Sequence, residues 1–445
     1  MKILLINPPN TNELIANDTP QEVSYKGVFP NLGIMYLASA VKDLCEVRIV
    51  DCQVDGMKID DLEKILQEYR PDVVGLTVMT FTLIDVKQVI HAVRLWTNAK
   101  IILGGPHVAV YPDRCFDLDV DYAIVGEGEI IFRDMIKTLL RGEIPPKLLT
   151  SEKLKNLDDL IHPFREKKNC WGIMSAKPIT TMISSRGCPF MCHFCDRPAM
   201  GRNFRMRSPN SVVDEIEECL ALGINEIVFY DDTFTVNKER AMDICGEILQ
   251  RKLKFDWSIR ARVDTVDSVL LSTLKETGCY RIHFGVESGS NRVLKNINKG
   301  ITVEQARDAF KWAHECKIDT LAYFMIGMPG ETKEDMDASL KLAKELKTYY
   351  AKFTIFTPFP GTETYKRWLE RGNPDVWAQY VSSPTKDFQP PIWGDFSRDE
   401  LQEIIRKIYK NFYGRIPWML HKLFKVHGLN EFTRLCKAGY QVLCK

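Results

Sequence analysis

Along the chain, short runs dense in Val, Ile and Leu alternate with longer stretches whose apolar residues recur three and four positions apart, the pattern of parallel βαβ units. Over the first third it predicts strands at Lys2–Ile6, Val47–Val50, Val73–Val78, Lys100–Leu103 and Ala123–Val125. The helices between them fall at Leu32–Leu44, Asp60–Tyr69, Ile84–Trp96 and Glu129–Leu140. Nearly continuous apolar strands are expected where both faces of a sheet are covered. About residues 1–150 therefore read as a doubly wound, Rossmann-like α/β domain.

A Lys-, Asp- and Pro-containing stretch, 151–176, reads as a linker, and the alternation resumes over about 177–375. Strands are predicted at Thr180–Ile183, Glu226–Tyr230, Phe255–Arg260, Arg281–Gly285, Thr320–Ile326 and Lys352–Phe356, with a helix after each of the first five. Six such units make a partial (β/α)6 barrel, which carries its chemistry at the C-terminal ends of its strands. Residues 376–445 are rich in aromatics, with an amphipathic helix over Leu401–Tyr413. This mostly helical extension is read as a cap completing the barrel core, in preference to a wall over an apolar substrate or a membrane-surface helix.

Composition narrows the class. At 445 residues the chain can bury two or three cores, and Lys+Arg 60 against Asp+Glu 59 gives no basic surplus to attract nucleic acid. Thirteen scattered cysteines, an odd number, fit a reducing interior better than a disulfide framework. The opening Met1–Pro9 is too short and too soon broken for a signal peptide, and no apolar run reaches the roughly 18 residues a bilayer span needs. A cytoplasmic enzyme is expected.

The candidate chemistry concentrates in Ser185-Arg186-Gly187-Cys188-Pro189-Phe190-Met191-Cys192-His193-Phe194-Cys195-Asp196. Three thiolates cannot close a four-ligand site by themselves, and soft donors suit an iron–sulfur cluster or zinc. A compact loop can fix three irons of a cubane and leave the fourth open. A zinc knuckle completed by His193 or a distant Cys, and three unrelated buried thiols, are the competing readings.

The Cys-x-x-x-Cys-x-aromatic-Cys pattern, with Phe194 as the aromatic, resembles that of the radical S-adenosylmethionine (SAM) superfamily. The resemblance implies a [4Fe–4S] cluster on Cys188, Cys192 and Cys195, with SAM chelating the remaining iron. It implies one-electron cleavage of SAM to methionine and a 5′-deoxyadenosyl radical, the electron coming from a donor such as flavodoxin or ferredoxin. The later strand-end loops follow the family's order. Tyr230-Asp231-Asp232 stands where the SAM ammonium is bound, and Arg260-Ala261-Arg262 offers a guanidinium for its carboxylate, with Arg262 chosen by side-chain alternation. Glu287 and Ser288 stand for the ribose, and Gly327 and Pro329 for the adenine side.

The strand-end loops of the first domain resemble the cobalamin-binding domain that precedes some radical SAM barrels. They comprise Asn7-Pro8-Pro9, Leu32-Gly33, Thr77-Val78-Met79-Thr80, Gly104-Gly105-Pro106-His107 and Gly126-Glu127-Gly128. The Asp-x-His-x-x-Gly motif that gives cobalt a histidine is missing, so cobalamin is expected base-off, and His107 is read as a loop-capping residue rather than a substitute. The combination implies a cobalamin-dependent radical SAM enzyme, a family dominated by C-methyltransferases: one SAM methylates cobalamin and a second yields the radical that abstracts hydrogen from substrate. A ring-forming or rearranging enzyme with the same cofactors is the second reading, and a non-catalytic cobalamin or redox sensor the third. The substrate is expected to be a small molecule, apolar or lipid-like in view of the aromatic tail.

Overall fold

The computed structural model describes residues 1–14, 29–165, 178–196, 201–394 and 396–415. The end of the linker and the tail beyond Arg415 lie outside these residues. Among the described residues no helix is long and apolar enough to cross a membrane.

The first domain contains β1 (Lys2–Asn7), α1 (Leu32–Val41), β2 (Glu46–Asp51), α2 (Ile59–Tyr69), β3 (Val73–Thr77), α3 (Leu83–Trp96), β4 (Lys100–Gly104), α4 (Pro106–Val110), β5 (Tyr122–Val125), α5 (Gly128–Leu140) and β6 (Leu148–Thr150). Its six strands are all parallel, in the order β2-β1-β3-β4-β5-β6. The order reverses between β1 and β3, which opens a crevice at their carboxyl ends. Alternation within β1 splits the core: Leu4 and Ile6 pack with α2 and α3 on one face, Ile3 and Leu5 with α1 and α5 on the other. The short β6 and α4 have no sequence signal, because three and five residues show no period.

The second domain holds β7 (Ile179–Met182), β8 (Ser185–Arg186), β9 (Arg205–Met206), α6 (Pro209–Ala221), β10 (Glu226–Phe229), α7 (Lys238–Gln250), β11 (Asp256–Ala261), α8 (Ser268–Glu276), β12 (Cys279–Glu287), α9 (Asn291–Asn296), α10 (Val303–Glu315), β13 (Asp319–Ile326), α11 (Lys333–Glu345) and β14 (Tyr350–Ile355). Six parallel strands, β14-β13-β12-β11-β10-β7, form the partial barrel. Along β13 residues alternate half-buried and buried. Ala322, Phe324 and Ile326 are sealed against helices, while Leu321, Tyr323 and Met325 line a lumen that remains partly open.

The chain then forms α12 (Glu363–Glu370), α13 (Val376–Ser382) and α14 (Arg398–Tyr413). The single C-terminal unit expected from the sequence is divided between the two cores. Helix α14 lays Leu401, Ile405, Ile408, Tyr409 and Phe412 on the barrel core. Its Tyr409 hydroxyl lies 3.1 Å from Phe353 N and 3.2 Å from Phe353 O, and Tyr413 treats Ala351 alike, so two phenols satisfy the open edge of β14. Helices α12 and α13 instead return to the first sheet, where Tyr365, Trp377, Tyr380 and Val381 join the core of the α2/α3 face. Fully buried Trp377 packs against Phe81, Phe359 and Phe388 and donates from Nε1 to Pro358 O at 3.0 Å.

Candidate active site

The cysteine loop leaves the barrel through the antiparallel pair β8/β9. Gly187 begins it at φ 87°, and a Cβ there would fall 2.3 Å from Asn203 O, so only glycine fits the turn. Cys192 is buried, Cys188 half-buried and Cys195 exposed. Two later segments bracket the loop. His193 N donates to Ile297 O at 2.9 Å, Asn298 Nδ2 to Met191 O at 2.7 Å, and Thr364 N to His193 O at 3.0 Å. Phe194 packs with Val293, Ile297, Met328 and Phe356. The loop thus gathers the triplet on one segment, but among the described residues no three His, Cys, Asp or Glu side chains converge as a metal-binding group.

The residues expected to contact SAM fall into two sets. Asp231 is bonded inward: its carboxylate accepts from Ser184 N at 2.7 Å, Ser184 Oγ at 2.6 Å and Ser185 Oγ at 2.5 Å. It braces the strand that launches the cysteine loop, while Tyr230 is half-buried and Asp232 exposed beside it. Ser288, fully buried, meets Ser339 Oγ at 3.4 Å and is part of the packing between β12 and α11. Gly327 donates to Glu331 Oε2 at 2.6 Å, closing the turn on itself, and Pro329 O accepts from Asn296 Nδ2 at 3.3 Å, tying that turn to α9.

Arg262 and Glu287 are buried beside the loop. The Arg262 guanidinium forks onto Asp264 at 2.9 Å, donates to Lys299 O at 2.7 Å, lies 3.6 Å from Cys192 Sγ and stacks 3.8 Å over the Phe190 ring. Glu287 accepts from Lys299 Nζ at 2.6 Å and sits at φ 67°, where the register with β13 slips. Left-handed backbone in a non-glycine residue costs about 1–2 kcal/mol and tends to mark functional positions. Lys299 and Asp264 escaped sequence reading because neither lies in a strand-end motif. Glu331, two residues past Pro329, has no distinguishing signal in the sequence. Burial pushes its carboxyl up to about 7, and among the described residues its buried Oε1 has no partner.

The loops of the first domain line one end of its sheet. Asn7 Nδ2 donates to Asp51 Oδ1 at 2.8 Å, and Asp51 Oδ2 accepts from Asn31 N at 2.8 Å, tying the Asn7-Pro8-Pro9 and Leu32-Gly33 loops together. Pro8 O accepts from Gln53 Nε2 at 3.1 Å. Thr80 Oγ1 lies 3.0 Å from His107 Nδ1. Burial holds His107 down to about 4, so it is neutral, and among the described residues its buried Nε2 has no partner. Gly105, at φ 101°, would place a Cβ 2.9 Å from both Val78 N and Val78 O. Gly104, Thr77 and Gly126 stand at neighbouring strand ends, Met79 is exposed, and Gly128 packs α5 tightly against Leu37.

Glu127 has a different setting from the other loop residues. Its carboxylate takes the Arg205 guanidinium, Nη1 at 3.0 Å, and lies 3.2 Å from Arg186 Nη1. Arg186 also pairs with Glu129, and Arg205 Nη1 donates to Leu154 O at 2.6 Å. This buried clasp joins the β5–α5 loop of the first domain to both strands flanking the cysteine loop. Arg186 and Arg205 carried no recognisable motif, since their partners lie 57 to 78 positions away.

Residues 182–343 match the Radical SAM superfamily and residues 23–136 the B12 binding domain. The chain belongs to the cobalamin-dependent radical SAM family, and its cofactors are SAM, a [4Fe–4S] cluster and cobalamin. Among its relatives, a Pyrococcus horikoshii protein named as an uncharacterized methyltransferase is 33% identical, the alignment covering 96% of each chain. The anaerobic magnesium-protoporphyrin IX monomethyl ester cyclase of Cereibacter sphaeroides is 26% identical, covering 93% of this chain and 74% of that one. The structure of TsrM, a radical SAM methyltransferase from Kitasatospora setae with cobalamin and [4Fe–4S] bound, superposes with a TM-score of 0.74 at 17% identity, covering 93% of this chain and 88% of that chain.

Proposed function

We propose that this enzyme transfers a methyl group to a carbon of a small-molecule substrate. The observation that carries the reading is the clasp from Glu127 and Glu129 to Arg186 and Arg205, which ties a cobalamin-side loop to the strands bearing the cysteine triplet. The methyltransferase name of the relative 33% identical over almost the whole chain supports it.

The residues fit the cofactors. Cys188, Cys192 and Cys195 supply three soft thiolates on a single short loop, the donor set for a cluster with one open iron. Beneath Gly105 the backbone is too close for any side chain, so the loop surface stays bare for a ligand. His107 Nε2 keeps an unused polar atom at that end of the sheet. When bound, SAM on the cluster supplies a carbon radical for hydrogen abstraction and cobalamin supplies a transferable methyl group. Arg262, over Phe190, holds positive charge beside Cys192. Asp231 fixes the strand before the cysteines, Glu287 with Lys299 presents a carboxylate at the end of β12, and exposed Asp232 follows half-buried Tyr230. A flavodoxin- or ferredoxin-type protein is the proposed electron donor.

A second reading, ring formation with the same cofactors, rests on the cyclase relative. Protein produced anaerobically with iron, sulfide and hydroxocobalamin should carry about four irons per chain and stoichiometric cobalt. With SAM deuterated on its methyl group, label is expected on a carbon of the substrate. Cys192→Ala should lose the cluster and all 5′-deoxyadenosine formation; continued SAM cleavage by that variant would sink the assignment, and an unlabelled cyclised product would favour the second reading.

A further inference from the structure

The barrel lumen contains a guanidinium that, among the described residues, has no carboxylate of its own. Arg260 on β11 stands opposite His283 on β12, and Gly285, two residues on, stands opposite Tyr323 on β13. The three side chains therefore share the lumen face. His283 Nδ1 lies 3.0 Å from the Tyr323 hydroxyl. The Arg260 guanidinium lies over Tyr230, 4.0 Å from its centroid, and Tyr230 meets Phe29 of the first domain edge-on at 5.8 Å. The group is thus walled by aromatic rings at the junction of the two domains.

Neighbouring charges are already matched. Lys299 holds Glu287, Arg281 lies 3.9 Å from Asp319, and Arg262 holds Asp264 against the cysteine loop. Among the described residues Arg260 has neither an ion pair nor a hydrogen bond, only the face of Tyr230. His283 is held down to about 3 by burial and by the positive charges of Arg281 and Arg260. Neutral, its Nδ1 shares one hydrogen bond with the Tyr323 hydroxyl and leaves Nε2 as a second polar atom. The layer consists of a planar guanidinium fork beside two neutral hydrogen-bonding groups, in a site partly screened from water. A guanidinium so placed is matched by a planar or tetrahedral oxyanion, which it grips with two parallel hydrogen bonds.

We propose that Arg260, flanked by Tyr323 and His283, binds an oxyanion of the substrate, a carboxylate or phosphate-type group, and so sets which carbon is presented at the barrel mouth. The aromatic tail pointed to an apolar substrate; the lumen gives that substrate an anionic end. The inference rests on the proposed methyl transfer, which needs substrate between the cysteine loop and the first domain. The other carboxylate available there is that of SAM. Arg262, in contact with Cys192 Sγ, is the guanidinium beside the cysteines, whereas Arg260 faces Tyr230 and the first domain.

The test titrates methylphosphonate and acetate, separately, into the anaerobically reconstituted full-length protein with saturating SAM, following the thermal midpoint. At least one anion should bind the wild type, with Arg260→Gln weakening it about tenfold or more and Arg260→Lys weakening it less, since the ammonium keeps charge but not the fork. Tyr323→Phe, which leaves the guanidinium in place, should weaken it severalfold. Loss of anion binding in proportion to SAM concentration, or a tenfold loss of SAM affinity in Arg260→Gln, would assign Arg260 to the SAM carboxylate and overturn the proposal. Anion binding that ignores both substitutions would overturn it too. SAM binding by the wild type is read separately: its absence removes the functional reading, while Arg260-dependent anion binding still decides the site.

Discussion

Replacing Glu127 by Ala removes the centre of the clasp between the domains. The Glu127 side chain is 5% exposed, that of Arg186 4% and that of Arg205 11%, so all three charges are largely out of water. Deleting one partner of a buried ion pair costs about 3–5 kcal/mol, because the charge left behind has neither water nor a counter-ion. Arg186 retains Glu129 and Arg205 retains Leu154 O, which puts the expected cost near the lower end, about 3 kcal/mol. Glu127→Gln keeps the hydrogen-bond geometry without the charge and should cost about 1–2 kcal/mol. Urea unfolding followed by tryptophan fluorescence reads both values, and a cycle with Arg205→Met isolates the pair. Burial pushes the Glu127 carboxyl up, but hydrogen bonding to Arg205 and the charges of Arg186 and Arg205 more than reverse it, leaving it lowered. Because the folded value is depressed, its stabilisation is full above the ordinary carboxylate value of about 4.3 and is lost as pH falls through the lower folded value. The Ala variant should therefore converge on the wild type only in strong acid. A loss under about 0.5 kcal/mol at pH 7, or a coupling that small with Arg205, would refute the claim that the clasp binds the domains.

Three further outcomes follow from the same geometry. Glu331 is raised to about 7 by burial, so the folded state holds a proton the unfolded chain gives up near pH 4.5; stability falls as pH rises between the two values, by up to about 3 kcal/mol. Glu331→Gln should accordingly melt higher than wild type at pH 8 and alike at pH 4, as scanning calorimetry would show. Gly105→Ala forces a Cβ to 2.9 Å from Val78 N and O at a left-handed φ, and should cost about 2 kcal/mol or more and weaken cobalamin retention on gel filtration. Trp377→Ala empties the contact between α13 and the first sheet, at about 3–5 kcal/mol, and should make the 376–388 segment an early site of limited proteolysis.

Both sheets were legible in the sequence because their strands are covered by helices, so that each strand reads as an apolar run and each helix as a stripe. The cysteine loop was legible because its three thiols are adjacent in sequence. What escaped depends on distance. Lys299 reaches Glu287 from the far side of α9, Arg205 reaches Glu127 from 78 positions away, and no local pattern marks either. Asp231 shows the opposite limit. Its strand-end position suggested a ligand contact, yet a serine pair 46 and 47 positions earlier occupies its carboxylate. The tail was read as one unit because its aromatic content is uniform, whereas Trp377 and Tyr409 serve different cores.

The return of α12 and α13 to the first sheet bears on how the protein is made. Leu4, Val74 and Leu103 emerge from the ribosome early, but Trp377 and Tyr380, which finish sealing them, are translated more than 270 residues later. At roughly 5–20 residues per second the first sheet waits about 14–55 seconds with an apolar flank uncovered while the whole barrel is synthesised. A nascent chain stalled within the barrel should therefore hold this flank open to chaperones. A gene cut at the apparent boundary near residue 150 would leave it permanently bare.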